Sequence, residues 1–528
     1  MWDGLNDPAR WVLPNVIEDM AKQHASKTWI TTTDGEEVTF GQMADEVKKT
    51  AGYFSSLGIS AGDYVGVWML NGCDFVRAWL GLGRLGAVAV LLNTELRGDF
   101  LKHQLNNSGI EHVVVDAHLI PLVHDIADDV DTLKTLVVVG ENSTKHAAFQ
   151  YLDWADWQLA TPWDGPGPQP GDTACIMYTS GTSGPSKGVL MPHAHCTLYG
   201  IGTIKSMALT PADKYYITLP LFHANGLLMQ LGSTLLAGIP ALLRRKFSAS
   251  SWVKDLHQSG ATVTNLLGST AAFVVAQPPS ELDQGHRLRA VLNAPNLPVH
   301  EQAFRTRFGL SDVVSGFGMT ESNMPIWGRI GTSTGNAAGW VHSEHFEVIV
   351  AHPETDQEVP YGEIGEILVR PKMPFGFMAG YHNMPEKTVE AWRNLWFHTG
   401  DAGTITADGL VTYIDRLKDC IRRRGENISA SEIELAVGDL PGIHEVAAYA
   451  VPSDLPGAED EVMLALVMVP GYEKELENIA TQMDGLLPRF AKPRFLRLLP
   501  ELPKTATGKI QRAILKQQGI QDALDRGI

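Results

Sequence analysis

Short apolar runs alternate with amphipathic segments along most of this 528-residue chain. Strand-like runs lie at residues 64–69, 112–115, 135–139, 216–219 and 263–267, with helix-like segments at 40–57 and 74–85 between or beside them. A chain that alternates in this way buries its strands in mainly parallel sheets and packs its helices on the sheet faces. The pattern therefore predicts an α/β fold.

The pattern changes twice towards the C-terminus. After about residue 340, strand-like runs such as 346–350 are separated by Pro, Gly and Asp, which predicts a small β-rich unit. From Asp415, a charged run precedes helices and strands that predict a compact α+β domain. Because 528 residues exceed what one core accommodates, we predict an N-terminal domain over 1–414 and a C-terminal domain over 415–528.

Composition excludes several classes of partner. The net charge of -18 provides no basic field for nucleic acid or anionic lipid. The four cysteines are scattered without a C-x-x-C pair, which is typical of a reducing cytoplasm. Acidic residues occupy the N-terminus where a signal peptide needs basic ones, and polar residues and a proline interrupt the longest apolar stretch, 227–243. We predict a cytoplasmic protein without a transmembrane segment, and a homodimer is compatible with these features.

Residues 178–188, Tyr-Thr-Ser-Gly-Thr-Ser-Gly-Pro-Ser-Lys-Gly, follow a strand-like run and have the composition of a phosphate-binding loop. Glycines let the backbone expose its N–H groups to an anion, hydroxyls supply further ligands, and Lys187 adds a positive charge. The glycines are Gly181, Gly184 and Gly188, and the hydroxyl residues are Thr179, Ser180, Thr182 and Ser183. The segment predicts nucleotide binding.

Two alternatives apply to this segment. The Walker A pattern fails, because counting from Gly181 places Ser186 at the second glycine and Gly188 at the Ser/Thr position. A Ser/Gly-rich surface linker is the other alternative, but such linkers seldom follow a buried strand and seldom carry a lysine at the turn. Phosphate binding is therefore the favoured interpretation.

Three further segments carry groups suited to a nucleotide. Residues 316–321, Gly-Phe-Gly-Met-Thr-Glu, combine an aromatic ring that can stack on a purine with a carboxylate that can hold a divalent cation beside phosphates. Residues 396–401 end in Asp401, which can accept ribose hydroxyl protons. Residues 503–509 present Lys509 on a glycine-bearing loop.

Together these motifs resemble the adenylate-forming superfamily of acyl-CoA synthetases, peptide-synthetase adenylation domains and luciferases, and most of all its crotonobetaine/carnitine-CoA ligase-like branch. The resemblance runs from end to end, with the motifs in order. They are YTSGTSGPSKG (178–188), PLFHANG (220–226), FGMTE (317–321), GEIGEI (362–367), AGYHNMPEKT (379–388), FHTGD (397–401), DRLKDCIRRRGENIS (415–429) and PKTATGK (503–509).

The resemblance implies a large N-terminal domain of two α/β subdomains and a β-rich subdomain, followed by a small mobile C-terminal domain. It also implies a reaction in two halves. The substrate carboxylate attacks the α-phosphate of ATP, with Mg²⁺ as cofactor, and releases pyrophosphate; the thiol of coenzyme A then displaces AMP from the acyl-adenylate. Alignment and stabilisation of charge on the α-phosphate are the protein's contribution.

The resemblance assigns roles to residues that match its motifs. Lys509, Thr320, Glu321 and His223 are catalytic, with Glu321 as the Mg²⁺ ligand, and Lys418 is the hinge of the C-terminal domain. ATP contacts fall on Thr179, Ser180, Gly181, Thr182, Ser183, Gly184, Lys187, Asn293, Ala294, Pro295, Gly316, Phe317, Gly318, Met319, Thr320, Asp401, Arg416 and Lys509. The resemblance assigns coenzyme A binding to Arg422, Arg424 and Gly425. It assigns the acyl pocket to Asn225, Gly226, Gly268, Ser269, Thr270 and Met324.

Other interpretations stay open beside these roles. His223 alone is typical of a structural histidine, Lys509 alone of a solvated lysine, and residues 422–424 of a charged surface. The whole chain could instead be a catalytically silent acyl-nucleotide-binding protein, or a luciferase-like or adenylation-only enzyme. A peptide-synthetase domain is disfavoured because PLFHANG lacks an aspartate for an α-amino group and no carrier domain follows.

The chain departs from its relatives at two places. Pro185 lies one position earlier than usual, so that Ser186 precedes Lys187, and Asn293 stands where many relatives have glycine. The acid itself is not predicted: the candidate pocket residues are small, neutral or apolar, and none is a carboxylate for a quaternary ammonium group. Neighbouring aromatic rings could still bind such a cation.

Overall fold

The computed structural model describes the whole chain except residues 180–185, 333, 336, 418–419, 424–425, 454–459, 488–490, 506–508 and 528. For residues 99, 269, 415–416, 420, 422, 426–427, 429, 431–432 and 473 it describes the backbone alone. The α-helices are α1 (Leu13–His24), α2 (Phe40–Ser56), α3 (Cys73–Leu85), α4 (Gly98–Ser108), α5 (Ile120–His124), α6 (His193–Ser206), α7 (Gly232–Ala237), α8 (Ala249–Ser259), α9 (Gly268–Val275), α10 (Pro298–Thr306), α11 (Pro385–Ala391), α12 (Ala430–Gly438), α13 (Leu476–Leu486) and α14 (Arg512–Gln517).

The strands are β1 (Thr28–Thr32), β2 (Glu37–Thr39), β3 (Tyr64–Trp68), β4 (Val88–Leu91), β5 (His112–Asp116), β6 (Thr135–Val139), β7 (Gln150–Asp153), β8 (Thr173–Thr179), β9 (Lys187–Pro192), β10 (Tyr215–Ile217), β11 (Ala241–Leu243), β12 (Val263–Leu267), β13 (Ala290–Ala294), β14 (Asp312–Val314), β15 (Gly316–Met319), β16 (Asn323–Trp327), β17 (Gly339–Val341), β18 (Phe346–Ala351), β19 (Gly365–Pro371), β20 (Gly380–Tyr381), β21 (Phe397–Ile405), β22 (Leu410–Arg416), β23 (Cys420–Arg423), β24 (Glu426–Ser429), β25 (Ile443–Val451), β26 (Glu461–Met468), β27 (Phe495–Leu498) and β28 (Leu524–Asp525).

Two mainly parallel sheets dominate the first 314 residues. Sheet I has the order β20-β9-β8-β4-β3-β5-β6-β7, and only its pairs β8–β9 and β9–β20 are antiparallel. Sheet II has the order β14-β13-β12-β10-β11-β1-β2 and is parallel except for the pair β1–β2. In open sheets of this kind, binding sites lie beyond the carboxyl ends of the strands.

The β-rich unit predicted after residue 340 is an antiparallel sheet, sheet III, with the order β15-β16-β17-β22-β21-β19-β18. It begins earlier than predicted, because β15 and β16 lie before residue 340. A four-stranded sheet, β25-β26-β27-β28, forms near the C-terminus, and buried apolar residues from Ile421 onward form clusters of their own. The α/β prediction is confirmed. Strand β22 ends at Arg416, and the boundary at 414/415 stays a prediction.

Helix α6 is the central helix of the N-terminal part. All of its residues are buried except Lys205, because α7, the π-helical segment Asn225–Leu231 and strand β16 surround it. A helix that is covered on all sides needs apolar or hydrogen-bonded residues all round, and its hydroxyl side chains bond to carbonyls one turn back. Thr197 donates to the His193 carbonyl and Thr203 to that of Tyr199. The helix is therefore a fixed support for the segments around it.

Candidate active site

The predicted phosphate loop begins and ends on two paired strands. Strands β8 and β9 pair antiparallel, and Thr179 lies opposite Lys187 at the last described pair. Helix α4 contacts the C-terminal end of this loop: His103 Nε2 lies 2.8 Å from the Ser186 carbonyl oxygen, and Gln104 donates to the Ser186 hydroxyl at 3.2 Å. Five predicted ATP-binding residues, Ser180, Gly181, Thr182, Ser183 and Gly184, lie outside the described residues, as does the shifted Pro185.

Glu321, the predicted Mg²⁺ ligand, lies beside the base of this hairpin. It is 3% exposed, and its Oε1 accepts from the Tyr381 hydroxyl at 2.9 Å and from Thr179 Oγ1 at 3.5 Å. The ammonium of Lys187 lies 4.1 Å from the centroid of the Tyr381 ring. Two hydroxyls, a carboxylate and a cation thus lie together, and they include the predicted residues Thr179, Lys187 and Glu321.

Tyr381 is a member of this cluster that the sequence analysis did not single out. It lies in β20, which pairs antiparallel with β9 so that Tyr381 is opposite Val189. The pairing carries its hydroxyl to Glu321, 60 residues away in sequence. The motif at 379–388 contained the signal, because a lone tyrosine follows a glycine there, but no distance to Glu321 follows from sequence alone.

Helix α6 positions the turn that carries Thr320 and Glu321. Tyr199 Oη donates to the Met319 carbonyl at 2.7 Å, and His195 Nε2 donates to the Thr320 carbonyl at 2.9 Å. Burial lowers the pKa of His195 to about 4, so its ring stays neutral at pH 7. Sequence reasoning missed His195 and Tyr199, because their hydrogen-bond partners lie 120 residues or more away.

Phe317 and the predicted ribose residues Asp401 and Arg416 all lie on strands of sheet III. The rings of Phe317 and Tyr413 are stacked, with centroids 5.8 Å apart and planes 26° apart. Asp401 is 2% exposed and lies directly opposite Arg416 in the β21–β22 ladder, so the two predicted ribose ligands share one cross-strand pair. The side chain of Arg416 lies outside the described residues, and Tyr413 was not predicted.

The carboxyl ends of β12 and β13 bring the predicted adenine loop beside the predicted acyl pocket. Leu267 is opposite Ala294, and a Cβ added to Gly268 would lie 3.5 Å from Pro295 Cδ. Asn293 is fully buried, which leaves Ala294 and Pro295 as the accessible residues of this loop. Of the next pocket residues, Thr270 Oγ1 accepts from the Leu267 backbone at 2.8 Å, and the side chain of Ser269 is not described.

Met324 supports the nucleotide turn from beneath. A Cβ added to Gly318 would lie 2.4 Å from Met324 Sδ, and one at Gly316 would lie 2.8 Å from Met324 Cε. Glycine is required at Gly318, because its Cβ would also lie 2.3 Å from the Asn323 carbonyl oxygen, whereas the end of the flexible Met324 side chain, which is 7% exposed, can move away from a Cβ at Gly316. Met324 was predicted as an acyl-pocket residue, and the structure shows it in contact with the predicted ATP turn.

His223 and the start of the π-helical segment form another wall of the candidate site. The Phe222 and His223 rings meet edge to face at 4.6 Å. A Cβ on Gly226 would lie 2.3 Å from the Pro220 carbonyl oxygen, so only glycine fits there. Asn71 stabilises this wall, because its side-chain oxygen Oδ1 accepts a hydrogen bond from the Leu221 backbone N–H at 2.8 Å.

His223 is solvent-accessible, yet protein atoms of the cleft surround its ring. This desolvation and, to a smaller extent, the positive charge of Lys509 lower the pKa of His223 to about 4. Lys509 belongs to the C-terminal segment that the motif at 503–509 predicted. A carbonyl–amide pair with Thr505, at 2.8 Å, and the Thr505 hydroxyl, at 3.1 Å, fix the Lys509 backbone.

Other predicted residues of the C-terminal domain are described only in part. Lys418, Arg424 and Gly425 lie outside the described residues, and Arg422 is described as a backbone position in β23. The catalytic role of Lys509, the hinge and the coenzyme A residues therefore stay predictions.

Comparison with known proteins identifies the family. The family model "AMP-binding enzyme" matches residues 17–382, and "AMP-binding enzyme C-terminal domain" matches residues 432–509. The chain belongs to the AMP-binding enzyme family. Curated relatives include the crotonobetaine/carnitine–CoA ligases of Citrobacter koseri, 29% identical over 96% of this chain and 98% of theirs, and of Salmonella typhi, 28% identical over the same shares.

Solved structures agree with this assignment. An anthranilate CoA ligase, AuaEII, in complex with anthranoyl-AMP has a TM-score of 0.83 and 25% identity, with 96% of each chain covered. ATP-bound MatB from Rhodopseudomonas palustris, at 24% identity, has the same fold with a TM-score of 0.82 over 96% of this chain and 98% of MatB. The predicted superfamily is confirmed for this AMP-binding enzyme. None of its described helices is long and apolar enough to cross a membrane.

Proposed function

We propose that this AMP-binding enzyme is an ATP-dependent carboxylic acid–CoA ligase that forms acyl-CoA, AMP and pyrophosphate through an acyl-adenylate. The observation that carries the proposal is the cluster of Glu321, Tyr381 and Thr179 beside Lys187, in a chain that both family models match. A substrate carboxylate oxygen attacks the α-phosphorus, and the bond from that phosphorus to the pyrophosphate oxygen breaks. Lys509 stabilises the negative charge that builds up there, next to a neutral imidazole.

In this proposal, Glu321 and the β8–β9 hairpin hold the leaving pyrophosphate. A nearly buried carboxylate beside the Thr179 hydroxyl provides the hard oxygen ligands that Mg²⁺ prefers, so the residues fit the ion that the family implies. Bound Mg²⁺ would neutralise phosphate charge. Tyr381 orients Glu321, and Lys187 faces the β- and γ-phosphates from the hairpin. Asp401 and Arg416 bind the ribose, and Phe317 stacks on the adenine.

Coenzyme A enters in the second half-reaction. Its thiolate attacks the acyl carbonyl carbon, and the bond from that carbon to the AMP oxygen breaks. We propose that the C-terminal domain turns about Lys418 between the halves, so that Arg422, Arg424 and Gly425 replace Lys509 at the site. The two roles then belong to opposite faces of one domain, and removing Lys509 should affect only the first half.

Hydrogen-bonded polar side chains lie at the base of the proposed acyl pocket, the polar floor, and they restrict the class of acid that can bind. The fully buried Tyr215 hydroxyl donates to Asn265 Oδ1 at 2.5 Å, and Asn265 Nδ2 donates to Asn225 Oδ1 at 2.8 Å. Gln230 Nε2 donates to the same Asn225 oxygen at 3.3 Å. The reversed amide orientation would leave the Tyr215 hydroxyl without an acceptor, which is unfavourable in a buried site.

Asn225, which is only partly buried, therefore offers its amide N–H groups to the pocket. We propose that the substrate is a short acid with a hydrogen-bond acceptor, such as a hydroxyl, carbonyl or second carboxyl oxygen, at its distal end. Long unsubstituted acids would leave this donor unpaired, and the carnitine-type acids of the curated relatives remain candidates because carnitine carries a hydroxyl.

The test is a panel of acids in matched pairs, with and without the distal oxygen, assayed with ATP, Mg²⁺ and coenzyme A. AMP release and acyl-CoA formation report the full reaction, and ATP–pyrophosphate exchange reports adenylation alone. No exchange with any acid would indicate a silent binding protein. Exchange without thioester would indicate an adenylation-only or luciferase-like enzyme. Preference for the unsubstituted partners would contradict the polar floor while leaving the ligase intact.

We further propose that the enzyme works in the cytoplasm on small molecules alone. The net charge of -18 and the buried, reduced Cys73, Cys175 and Cys196 support this environment. A homodimer is the proposed assembly, and light scattering at micromolar concentration tests it. A mass of about one chain would contradict the dimer and leave the catalytic proposal unchanged.

A further inference from the structure

The turn between β17 and β18, near the C-terminal end of α6, carries three side chains that can bind a metal ion. His342, Glu344 and His345 lie between β17 and β18, and one ligand atom from each lies within 4.8 Å of the other two. The turn is tight, because the amides of His345 and Phe346 both donate to the His342 carbonyl at 3.0 Å. One short segment therefore supplies the whole set.

The two imidazoles have unused nitrogens directed at this cluster. Nε2 of His342 and Nε2 of His345 are buried and have no hydrogen-bond partner among the residues that the structure describes, and His345 is only 9% exposed. A buried polar atom without a partner is unfavourable and needs a physical explanation. Each Nε2 faces a Glu344 oxygen, at 3.9 and 3.8 Å, which is too far for a hydrogen bond.

These separations approach those of ligands that share one metal. Two tetrahedral ligands at bond lengths of 2.0–2.1 Å are about 3.3 Å apart. Ring contacts hold both imidazoles: their centroids lie 4.8 Å apart at 89°, and His345 meets Trp11 edge to face at 5.8 Å.

We propose that His342, Glu344 and His345 bind one divalent transition-metal ion, Zn²⁺ by preference, with water at the fourth position. Two imidazoles and one carboxylate are a donor set for Zn²⁺ and not for Mg²⁺, so the catalytic cation does not compete. The site is independent of the proposed ligase activity. Its ion would tie the β17–β18 turn together at the end of α6 opposite Thr320.

Positive charges near the turn oppose metal binding and provide a test with a defined sign. Lys205, the last lysine of α6, forms an ion pair with Glu344 at 2.5 Å, and Arg329 and Lys372 act on His342 and His345. A metal must displace Lys205 from Glu344. Lys205→Met should therefore tighten binding about two- to fivefold, the value of an exposed ion pair that no longer competes.

The experiment uses untagged, metal-stripped full-length protein titrated with Zn²⁺ by calorimetry and with Co²⁺ by visible absorption. We expect one equivalent of Zn²⁺ and the intense d–d bands of tetrahedral Co²⁺. His345→Ala and Glu344→Gln should each weaken binding about tenfold or more. His146→Ala is the matched control, because His146 and His124 also pair at 5.5 Å, but His124 Nε2 already bonds Tyr151 Oη.

Three outcomes would overturn the proposal. They are less than half an equivalent bound by the native protein, unchanged affinity in His345→Ala, or affinity in Lys205→Met that is equal or weaker. Melting temperatures measured without metal show whether each variant folds. If His345→Ala is unstable, the opposite-signed effect of Lys205→Met still decides, because this exposed lysine makes no contribution to the core.

Discussion

Replacing Tyr381 by Phe isolates one hydrogen bond at the proposed Mg²⁺ ligand. The Phe ring keeps the contact with Lys187, whose ammonium lies 4.1 Å from the ring centroid, and removes only the hydroxyl that donates to Glu321 at 2.9 Å. The second donor, Thr179, is 3.5 Å away and cannot replace it. Glu321 is 3% exposed, so water does not readily take the place of the hydroxyl.

A hydrogen bond to a charged group contributes about 1.5–3 kcal/mol, which corresponds to about a ten- to hundredfold change. We therefore expect kcat/KM of adenylation to fall by about that factor, with a matching rise in the Mg²⁺ concentration needed for half activity. The assay is ATP–pyrophosphate exchange over a range of Mg²⁺ concentrations, beside thioester formation from preformed acyl-adenylate, which should be nearly unchanged.

One matched variant controls this prediction. Tyr151→Phe removes a hydroxyl bonded to His124 at the outer strand of sheet I and should leave adenylation unchanged. Equal loss in both half-reactions, or an unaltered Mg²⁺ requirement, would refute the role of Tyr381 as the residue that orients Glu321.

Three further predictions concern the site and its support. Lys509→Ala should suppress adenylation by about a hundredfold or more yet spare thioester formation from preformed acyl-adenylate; single-turnover assays of each half would show equal losses if the domain does not turn. Gly226→Ala should lower the melting temperature by several degrees and abolish acid activation, because its Cβ would lie 2.3 Å from the Pro220 carbonyl oxygen; a native melting curve would contradict this. The free energy of unfolding should fall as the pH drops from 6.5 towards 4, because His195 stays neutral when the protein is folded and is protonated when it is unfolded. Denaturant unfolding of His195→Gln should show about 3 kcal/mol less of this loss. Equal pH dependence of the native protein and the variant would exclude the effect.

The sequence predicted the elements of this fold well where apolar runs were long. The runs at 135–139 and 263–267 are β6 and β12, because buried parallel strands are recognisable as continuous apolar segments. Sheet III was placed too late, since two of the four residues of β15 are glycines and β16 contains a proline. A pattern of local periodicity contains little information about such strands.

The candidate site likewise divides into residues that the sequence could predict and residues that it could not. Motifs singled out Thr179, Glu321 and Asp401 because each lies in a short, glycine-bearing segment with its own chemistry, and their roles stay predictions. They could not locate His195 or Tyr381, whose roles depend on hydrogen bonds across 125 and 60 residues. Nor could they show that Met324 packs beneath Gly318. Side chains that support a site from another element are determined by tertiary packing, which a single sequence does not reveal.

Helix α6 has a consequence for mutational surveys of this protein. Its first half holds the carbonyls of Met319 and Thr320, and nearly all of its residues are buried. A saturation scan scored by enzymatic output would therefore mark the helix as intolerant at almost every position. That profile resembles a ligand-binding motif, although the described contacts of His195 and Tyr199 with the turn are to backbone atoms. Pairing the scan with an abundance measurement would separate the two causes along α6.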